Sequence, residues 1–243
     1  MKIRIKLIAV VILFLVSCHK SEEIDQIHEM VDYRESGNFT TIKDQKNLGA
    51  CWAFACAGLT EYHIKKKFGT EIDLSEQHLI NCAGFGPSEG LNYLKENGIT
   101  TEDKLPYQAQ VQACNQNTEA AYKIENFEMI KLDGLSFDKR IEILQTQLKN
   151  YGPFITHFDL YVDFDLYTSG VYEYDGTSKS NYGHIVVVAG FADNPSVKNG
   201  GYWICRNSWG SQWGENGYFK IPYDECNIAT AYAYTIADVV KTE

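Results

Sequence analysis

The sequence has no apolar run long enough to span a membrane on its own. Its longest apolar run covers the ten residues 7–16, whereas a transmembrane helix needs about 20 apolar residues. Internal repeats and low-complexity stretches are also absent. The sequence contains no CxxC or HxxxH pair, and these are spacings typical of zinc ligands. We therefore expect neither a metal site nor a cofactor.

Basic residues are fewer than acidic residues. The 243 residues include 22 Lys and Arg against 32 Asp and Glu, which gives a formal net charge of −10. Nucleic-acid phosphates repel an acidic chain, so non-specific binding to nucleic acid is disfavoured. We therefore expect no nucleic-acid partner.

Apolar and aromatic residues, by contrast, are plentiful. Hydrophobic residues make up 44% of the chain and aromatic residues 13%, which is enough to bury a large core and excludes global disorder. A chain of this length forms one domain or two tightly packed lobes. The seven cysteines are an odd number, so at least one of them is not in an intramolecular disulfide.

The N-terminus has the pattern of an export signal, in which basic residues precede the apolar run. The segment 15–18, Leu-Val-Ser-Cys, resembles a bacterial lipobox, in which the cysteine, here Cys18, carries the lipid. The alternative is an ordinary signal peptide that happens to contain a cysteine. We expect a lipoprotein signal peptide at 1–17 and a lipidated polar tether at 18–30.

Lipid, and not charge, is expected to hold the protein at a membrane. Removal of the signal peptide takes away three basic residues, and an acidic protein is not attracted to an anionic membrane surface. Export also predicts a compartment in which disulfides form. The expected location is the bacterial cell envelope, at the outer membrane, with the face of that membrane left open.

The body of the chain has helical patterns first and strand patterns second. Apolar spacing, N-cap residues and helix-stop signals predict helices at 50–67, after Ser75, at 91–96 and at 137–150, and β-branched and aromatic runs predict strands at 185–189, 202–204 and 217–221. This order favours an α+β fold with two lobes. The seam between the lobes is expected near 130–150, and a cleft at such a seam is a favoured site.

Cys51 lies where the first predicted helix begins. A helix N-terminus carries about half a positive charge and free N–H groups, which favour a thiolate and can hold an oxyanion. His184 opens a predicted strand and can act as its base, while Asn207 can accept from the ring N–H, with Trp209 placed to shield that bond from water. Each residue alone is more often structural, but their order and spacing together indicate a cysteine nucleophile.

A series of short motifs supports this interpretation. They are Val31-Asp32-Tyr33-Arg34, the stretch 43–54 around Gly49-Ala50-Cys51-Trp52, Leu74-Ser75-Glu76-Gln77, Tyr151-Gly152-Pro153, Ser169-Gly170-Val171-Tyr172, Gly183-His184, Asn207-Ser208-Trp209-Gly210 and the stretch 213–218. In this order, over about residues 31–240, they resemble the papain-like cysteine proteases (peptidase family C1). The Cys18 pattern adds the form of a bacterial lipoprotein.

The resemblance implies a papain-like fold at 31–243, with an N-terminal helical lobe, a C-terminal β-rich lobe and the active-site cleft between them. It implies that Cys51 is the nucleophile, His184 the general base and acid, and Asn207 the residue that orients His184. Gln45 is implied as a side-chain oxyanion donor beside the backbone N–H of Cys51. The implied partners are peptide or protein substrates, cleaved through a thioester, and the expected state is a monomer.

The substrate cleft departs from the family pattern. The family usually has a cysteine where Leu48 stands, bonded to one in the loop after the second helix, and the corresponding region here, 83–90, contains none. Gly84 or Gly86 is expected to offer backbone hydrogen bonds to the substrate in that loop. On the same resemblance, Gly183 and Trp209 are expected to contact the substrate.

The resemblance also implies how the other cysteines are used. Cys82 and Cys114 match the two ends of a family disulfide, whereas Cys226 lacks its usual partner and is either free or paired with Cys205 or Cys56. Ala231, five residues after Cys226, stands where the family has the floor of its main specificity pocket. We therefore expect Leu, Val or Phe at P2, the second position before the cleaved bond.

The thirteen residues 18–30 are far shorter than the family's usual inhibitory prosegment. A separate inhibitor protein, export itself or cleavage within the chain are left open as ways to restrain activity. The leading hypothesis is an endopeptidase anchored to the membrane. Two alternatives remain open, a secreted toxin or effector that uses the same protease chemistry and a non-catalytic binding module on a protease fold.

Overall fold

The α-helices lie mainly in the first half of the chain, as predicted. The computed structural model describes residues 27–242, so the predicted signal peptide and Cys18 lie outside the described residues. The α-helices of the described part are α1 (Cys51–Phe68), α2 (Glu76–Cys82), α3 (Pro87–Glu96) and α4 (Phe137–Asn150). Short 3-10 helices cover Tyr33–Ser36, Val162–Leu166, Lys198–Gly200 and Glu225–Asn227.

The helix ends follow the sequence signals. The Ser75 side chain accepts a hydrogen bond from the His78 N–H at the start of α2, as an N-cap should. Lysines fill the last turn of α1, and Gly69 follows with a φ of 67°, the left-handed conformation that glycine tolerates best. Helix α3 begins earlier than predicted, because Pro87 occupies its first turn, where proline's missing N–H costs nothing.

Helix α1 is the interior axis of the molecule. All residues from Trp52 to Ile64 are buried, so the helix has no solvent-facing stripe over this length. Its N-terminus, with Cys51, reaches the strand β4 described below, because the backbone of Ile185 on that strand hydrogen-bonds to the Cys51 sulfur. The first residue of the helix is thereby placed between two parts of the fold.

The strands form one antiparallel sheet. They are β1 (Glu29–Asp32), β2 (Tyr122–Lys131), β3 (Phe154–Tyr161), β4 (Ser180–Asp193), β5 (Gly201–Arg206), β6 (Tyr218–Pro222) and β7 (Tyr232–Lys241). Their order is β2-β7-β3-β4-β5-β6, and β1 pairs with β4 beside this path. The sequence patterns predict segments of β4, β5 and β6, but not β1, β2, β3 or β7.

The strand β1 begins at Glu29, inside the segment 18–30 that is predicted as a tether. Glu29 and Met30 belong to β1, where they pair with Asp193 and Ala192 of β4. Backbone pairing with a neighbouring strand outweighs the polar composition of this segment, since composition alone does not show whether a partner edge is available. The described end of the chain is therefore part of the sheet from Glu29 onward.

Two hydrophobic cores lie on either side of β3 and β4. One contains Leu59 of α1 together with Ile155 and Val187, and the other contains Phe154 and Val188 together with residues of β5 and β6. Neighbouring residues of one strand point to opposite faces, so β3 and β4 serve both cores. The result is the expected α+β fold of two lobes. Within residues 27–242, none of the helices is both long and apolar enough to cross a bilayer.

Candidate active site

Cys51 is a partly exposed free thiol at the N-terminus of α1. Burial raises the pKa of this thiol, while hydrogen bonds from the backbone of Ile185, Trp52 and Cys51 itself lower it. The sulfur thus faces the N–H groups that a helix N-terminus leaves unpaired. These groups stabilise negative charge on the sulfur, or on an oxygen that develops beside it.

The imidazole of His184 is held in one tautomer by Asn207. His184 Nε2 lies 2.8 Å from Asn207 Oδ1, and the backbone N–H of Ser208 donates to the same Oδ1, also at 2.8 Å. Because that atom accepts from a backbone N–H, it is the amide oxygen, and His184 Nε2 must therefore be a donor. Nδ1 is then the ring nitrogen left for proton exchange with the Cys51 thiol.

Burial and hydrogen bonding act in opposite directions on the pKa of His184. Burial lowers the pKa of His184 to about 4, the hydrogen bond with Asn207 raises it, and the charge of His157 lowers it further. Burial therefore favours the neutral thiol and the neutral imidazole. The N–H groups at sulfur and the Asn207 oxygen at the ring oppose this, and so favour the thiolate–imidazolium pair.

Aromatic rings cover the His184–Asn207 bond. The ring of Trp209 lies 5.1 Å from the His184 ring between centroids, and the edge of Phe158 approaches His184 at 5.7 Å. His184 is 3% exposed and Asn207 is also 3% exposed. A hydrogen bond shielded in this way is stronger than one open to water, as the sequence analysis expected for Trp209.

Gln45 is anchored to the asparagine segment by a serine. The Ser208 hydroxyl donates to Gln45 Oε1 at 2.6 Å, and Gln45 Nε2 donates to the Leu48 carbonyl at 2.9 Å. The backbone N–H of Gln45 also donates to the Ser208 carbonyl at 2.8 Å. Since the side-chain amide has two hydrogens, one of them remains for an oxyanion.

The two glycines of the shortened loop have the conformations that glycine permits. Gly84 and Gly86 have φ values of 92° and 117°, in the region that other residues avoid. Phe85 between them is 79% exposed, and its ring lies 6.2 Å from that of Trp52, the residue after Cys51. The structure therefore brings this loop to the α1 side of the nucleophile.

Gly183 and the turn that leads to Ala231 both lie beside His157. A β-carbon at Gly183 would stand 2.4 Å from His157 Nε2, so the imidazole occupies the space that a side chain would need. The Ala229 N–H donates to the His157 carbonyl at 3.2 Å, which puts the turn that leads to Ala231 beside β3. His157 is not predicted as a site residue, because nothing in its flanking residues links it to position 183.

The cysteines divide into a bridge and free thiols. Cys82 and Cys114 form the expected disulfide. Among the described residues, Cys51, Cys56, Cys205 and Cys226 are free, so neither alternative pairing of Cys226 forms. Burial raises the pKa of the Cys56 and Cys205 thiols, which makes both of them unreactive core residues.

Comparison with known proteins agrees with this geometry. A family model described as "Papain family cysteine protease" matches residues 27–236. The oryzain gamma chain of Oryza sativa subsp. japonica is 35% identical over 90% of this chain and 62% of its own length. Cathepsin L2 of Homo sapiens is 33% identical over 84% of this chain and 64% of its own length. The chain thus spans less than two thirds of these relatives.

Solved structures give the same similarity. The digestive procathepsin L2 proteinase from the larval midgut of Tenebrio molitor superposes with a TM-score of 0.72 at 28% identity, over 86% of this chain and 67% of that one. The bromelain protease from Ananas comosus, solved in complex with the E64 inhibitor, superposes with a TM-score of 0.71 at 27% identity, over 86% of this chain and 98% of that one.

Proposed function

Because this chain belongs to the papain family of cysteine proteases, we propose that it is an endopeptidase that hydrolyses peptide bonds through a thioester on Cys51. One observation carries the proposal. His184 is held by Asn207 at 2.8 Å, on the strand whose next residue, Ile185, hydrogen-bonds to the Cys51 sulfur. A nucleophile, a base and a group that orients the base are the parts that acyl transfer requires.

The reaction follows from the orientation of these groups. The Cys51 thiolate attacks the peptide carbonyl carbon, and the new oxyanion accepts hydrogen bonds from the Cys51 N–H and from Gln45 Nε2. When the carbon–nitrogen bond breaks, the imidazolium of His184 gives its proton to the leaving amine. A water then attacks the thioester, His184 takes the water's proton, and the carboxylic acid leaves as the thiol is restored.

The nucleophile is tested by comparing the wild type with Cys51→Ala. We expect a thiol-directed epoxide to label the wild type and not the variant, and peptide cleavage to be lost with the label. Cys226→Ala is the matched control, since Cys226 is the other partly exposed free thiol of the described chain. This variant should still be labelled by the epoxide and still cleave peptides. Equal labelling of the wild type and Cys51→Ala would overturn the assignment.

We further propose an apolar preference at P2. Ala231 is a small apolar residue at the position where the family has its pocket floor, and it leaves room for Leu, Val or Phe. A library of peptides varied at P2 should show this preference in kcat/KM. A profile that favours Arg at P2 would contradict it.

We also propose that Cys18 anchors the protein to the bacterial cell envelope. The support is the sequence alone, in which a basic start and an apolar run precede Leu-Val-Ser-Cys at 15–18. In a bacterial host, the wild type should fractionate with membranes and carry a lipidated N-terminal cysteine by mass spectrometry. Cys18→Ala should lose the lipid, and a soluble, unlipidated wild type would exclude the anchor.

A further inference from the structure

A small cavity lies behind the catalytic asparagine, between α1 and β4. Its volume is about 20 Å³, and a cavity needs about 10–15 Å³ to hold one water. The charged residues that line it are Lys43, Glu61, Glu76 and Arg206, and Asn207 and Ser208 complete its polar wall. It has room for one water molecule in polar surroundings.

Asn207 brings an unpaired donor to this cavity. Its Oδ1 accepts from His184 Nε2 and from the Ser208 N–H, both at 2.8 Å. Its Nδ2 is fully buried and has no hydrogen-bond partner among the described residues. A buried donor left unpaired costs about 1–3 kcal/mol, so this amide hydrogen requires an acceptor.

Glu76 brings an unpaired acceptor to the same cavity. It is 1% exposed, and its Oε1 accepts from Lys43 Nζ at 2.8 Å. Its Oε2 is buried without a partner among residues 27–242. Burial raises the pKa of Glu76, whereas the charge of Lys43 and its hydrogen bond lower it. An additional hydrogen bond to Oε2 stabilises the carboxylate form.

We propose that one buried water occupies this cavity, accepting a hydrogen bond from Asn207 Nδ2 and donating one to Glu76 Oε2. A buried water typically makes two to four hydrogen bonds to groups of this kind. The water fixes the Asn207 amide from the side opposite His184, which makes Glu76 a positioning residue for the catalytic pair. Only this catalytic consequence rests on the proposed function, since the water site itself does not require activity.

A high-resolution crystal structure of the full chain tests the site directly. We expect an ordered water within hydrogen-bond distance of both Asn207 Nδ2 and Glu76 Oε2, in the wild type and in the inactive Cys51→Ala variant. A cavity without ordered water, or a water that reaches only one of the two atoms, would overturn the proposal. This outcome does not depend on whether the protein cleaves peptides.

Glu76→Gln tests the positioning role. Lys43 donates to Oε1, so the oxygen of the new amide must take that place and its NH₂ group then faces the water, replacing an acceptor by a donor. We expect kcat to fall roughly three- to tenfold with KM unchanged, as for the loss of one buried hydrogen bond. The NMR signal of the His184 Nε2–H should also shift.

Glu61→Gln is the matched control. It removes the same charge beside Lys43, but both oxygens of Glu61 are already paired, with Lys43 and the Leu74 N–H on one side and the Thr40 hydroxyl on the other. We expect less than about a twofold change in kcat and an unshifted His184 signal. Equal losses in the two variants would assign the effect to charge alone and refute the positioning role. A wild type without peptidase activity would refute the proposed function instead.

Discussion

A single hydroxyl joins two parts of the active site that are 163 positions apart in the chain. Ser208 donates to Gln45 Oε1, and this bond turns the Gln45 NH₂ group toward Leu48 and the start of α1. The serine hydroxyl and the Leu48 carbonyl thus hold the two ends of the Gln45 amide. The orientation of the Gln45 amide, the proposed oxyanion donor, therefore depends in part on Ser208.

Replacement of Gln45 should be costly. We expect Gln45→Ala to lower kcat roughly 10²–10³-fold, the usual loss for a side-chain oxyanion donor. Ser208→Ala should lower kcat only about fivefold, because it removes one hydrogen bond and leaves the amide present. Steady-state kinetics on a peptide substrate measures both. Wild-type turnover in Gln45→Ala would exclude the oxyanion role.

His63 makes the stability of the fold sensitive to acid. It lies in α1 at 8% exposure, and burial, aided by the charge of Lys66 and opposed by that of Asp238, lowers its pKa from 6.5 to about 4. As the pH falls from about 7 to about 4.5, His63 becomes protonated in the unfolded chain but stays largely neutral in the folded protein. The free energy of unfolding therefore falls, by about 2 kcal/mol from this residue.

His63→Gln should remove that share of the acid sensitivity. Urea unfolding at about pH 7 and about pH 4.5 measures the difference in unfolding free energy, which we expect to be about 2 kcal/mol smaller in the variant. His28→Gln, at an exposed position beside β1, serves as the control and should behave as the wild type. An unchanged difference in His63→Gln would exclude His63 as the source.

Sequence alone predicts the residues that are proposed to react, but not the residues that hold them in position. Cys51, His184 and Asn207 are predicted because a cysteine, a histidine and an asparagine follow one another there in a recognisable series of motifs. His157 and the water-facing oxygen of Glu76 could not be found, because their roles arise from contacts across the sheet and from which lone pair is left over. Such roles are set by three-dimensional geometry and leave no local pattern.

At the scale of elements, the disulfide fixes α2 against the irregular segment that follows α3. Cys82 is the last residue of α2, and its partner Cys114 lies in a stretch without helix or strand, 32 residues later. Loop closure of this length in the unfolded chain contributes about 3–4 kcal/mol. The bridge thus holds in place a segment that has little secondary structure of its own.

Removal of the bridge should weaken the fold without abolishing the catalytic geometry. We expect Cys82→Ser combined with Cys114→Ser to lower the free energy of unfolding by about 3–4 kcal/mol. Urea unfolding of the variant, compared with the wild type in its oxidised and reduced forms, measures this. If the reduced wild type were as stable as the oxidised protein, the bridge would contribute nothing.

The strands that the sequence missed share a physical cause. In β2, the polar pair Glu125-Asn126 and the apolar pair Met129-Ile130 interrupt the alternation of apolar and polar residues. Its pairing with β7 also contains register shifts around Asn126. Strand formation there depends on a partner from the far end of the chain, which local periodicity cannot show.

At the scale of the whole molecule, both ends of the described chain bind the lobes together. The first strand, β1, pairs with β4, while Arg206 of β5 donates to the carbonyls of Thr40 and Thr41 at 2.7 and 2.9 Å. The last strand, β7, lies between β2 and β3. Neither lobe is therefore built from one continuous stretch of sequence.

Substitution of Gly190 tests how closely β1 is held against β4. A β-carbon there would stand 2.1 Å from the Val31 carbonyl oxygen. To relieve this clash the backbone of β1 must move, which costs free energy. We expect Gly190→Ala to displace β1 and to lower the free energy of unfolding by roughly 2–4 kcal/mol. Limited proteolysis should then cut near residues 27–36. Gly49→Ala, with no atom within 4 Å of the added carbon, is the control, and equal stability of the two variants would refute this attachment.

The pairing of β2 with β7 determines when this part of the sheet can form during translation. Tyr122 of β2 pairs with Lys241 of β7, so a ribosome makes one partner roughly 6–24 s before the other at about 5–20 residues per second. Until β7 emerges, β2 lacks its partner strand in the sheet, and the first core lacks Tyr234, Ile236 and Val239. Translation thereby sets the order of assembly, and the first lobe cannot be completed before β7 has been made.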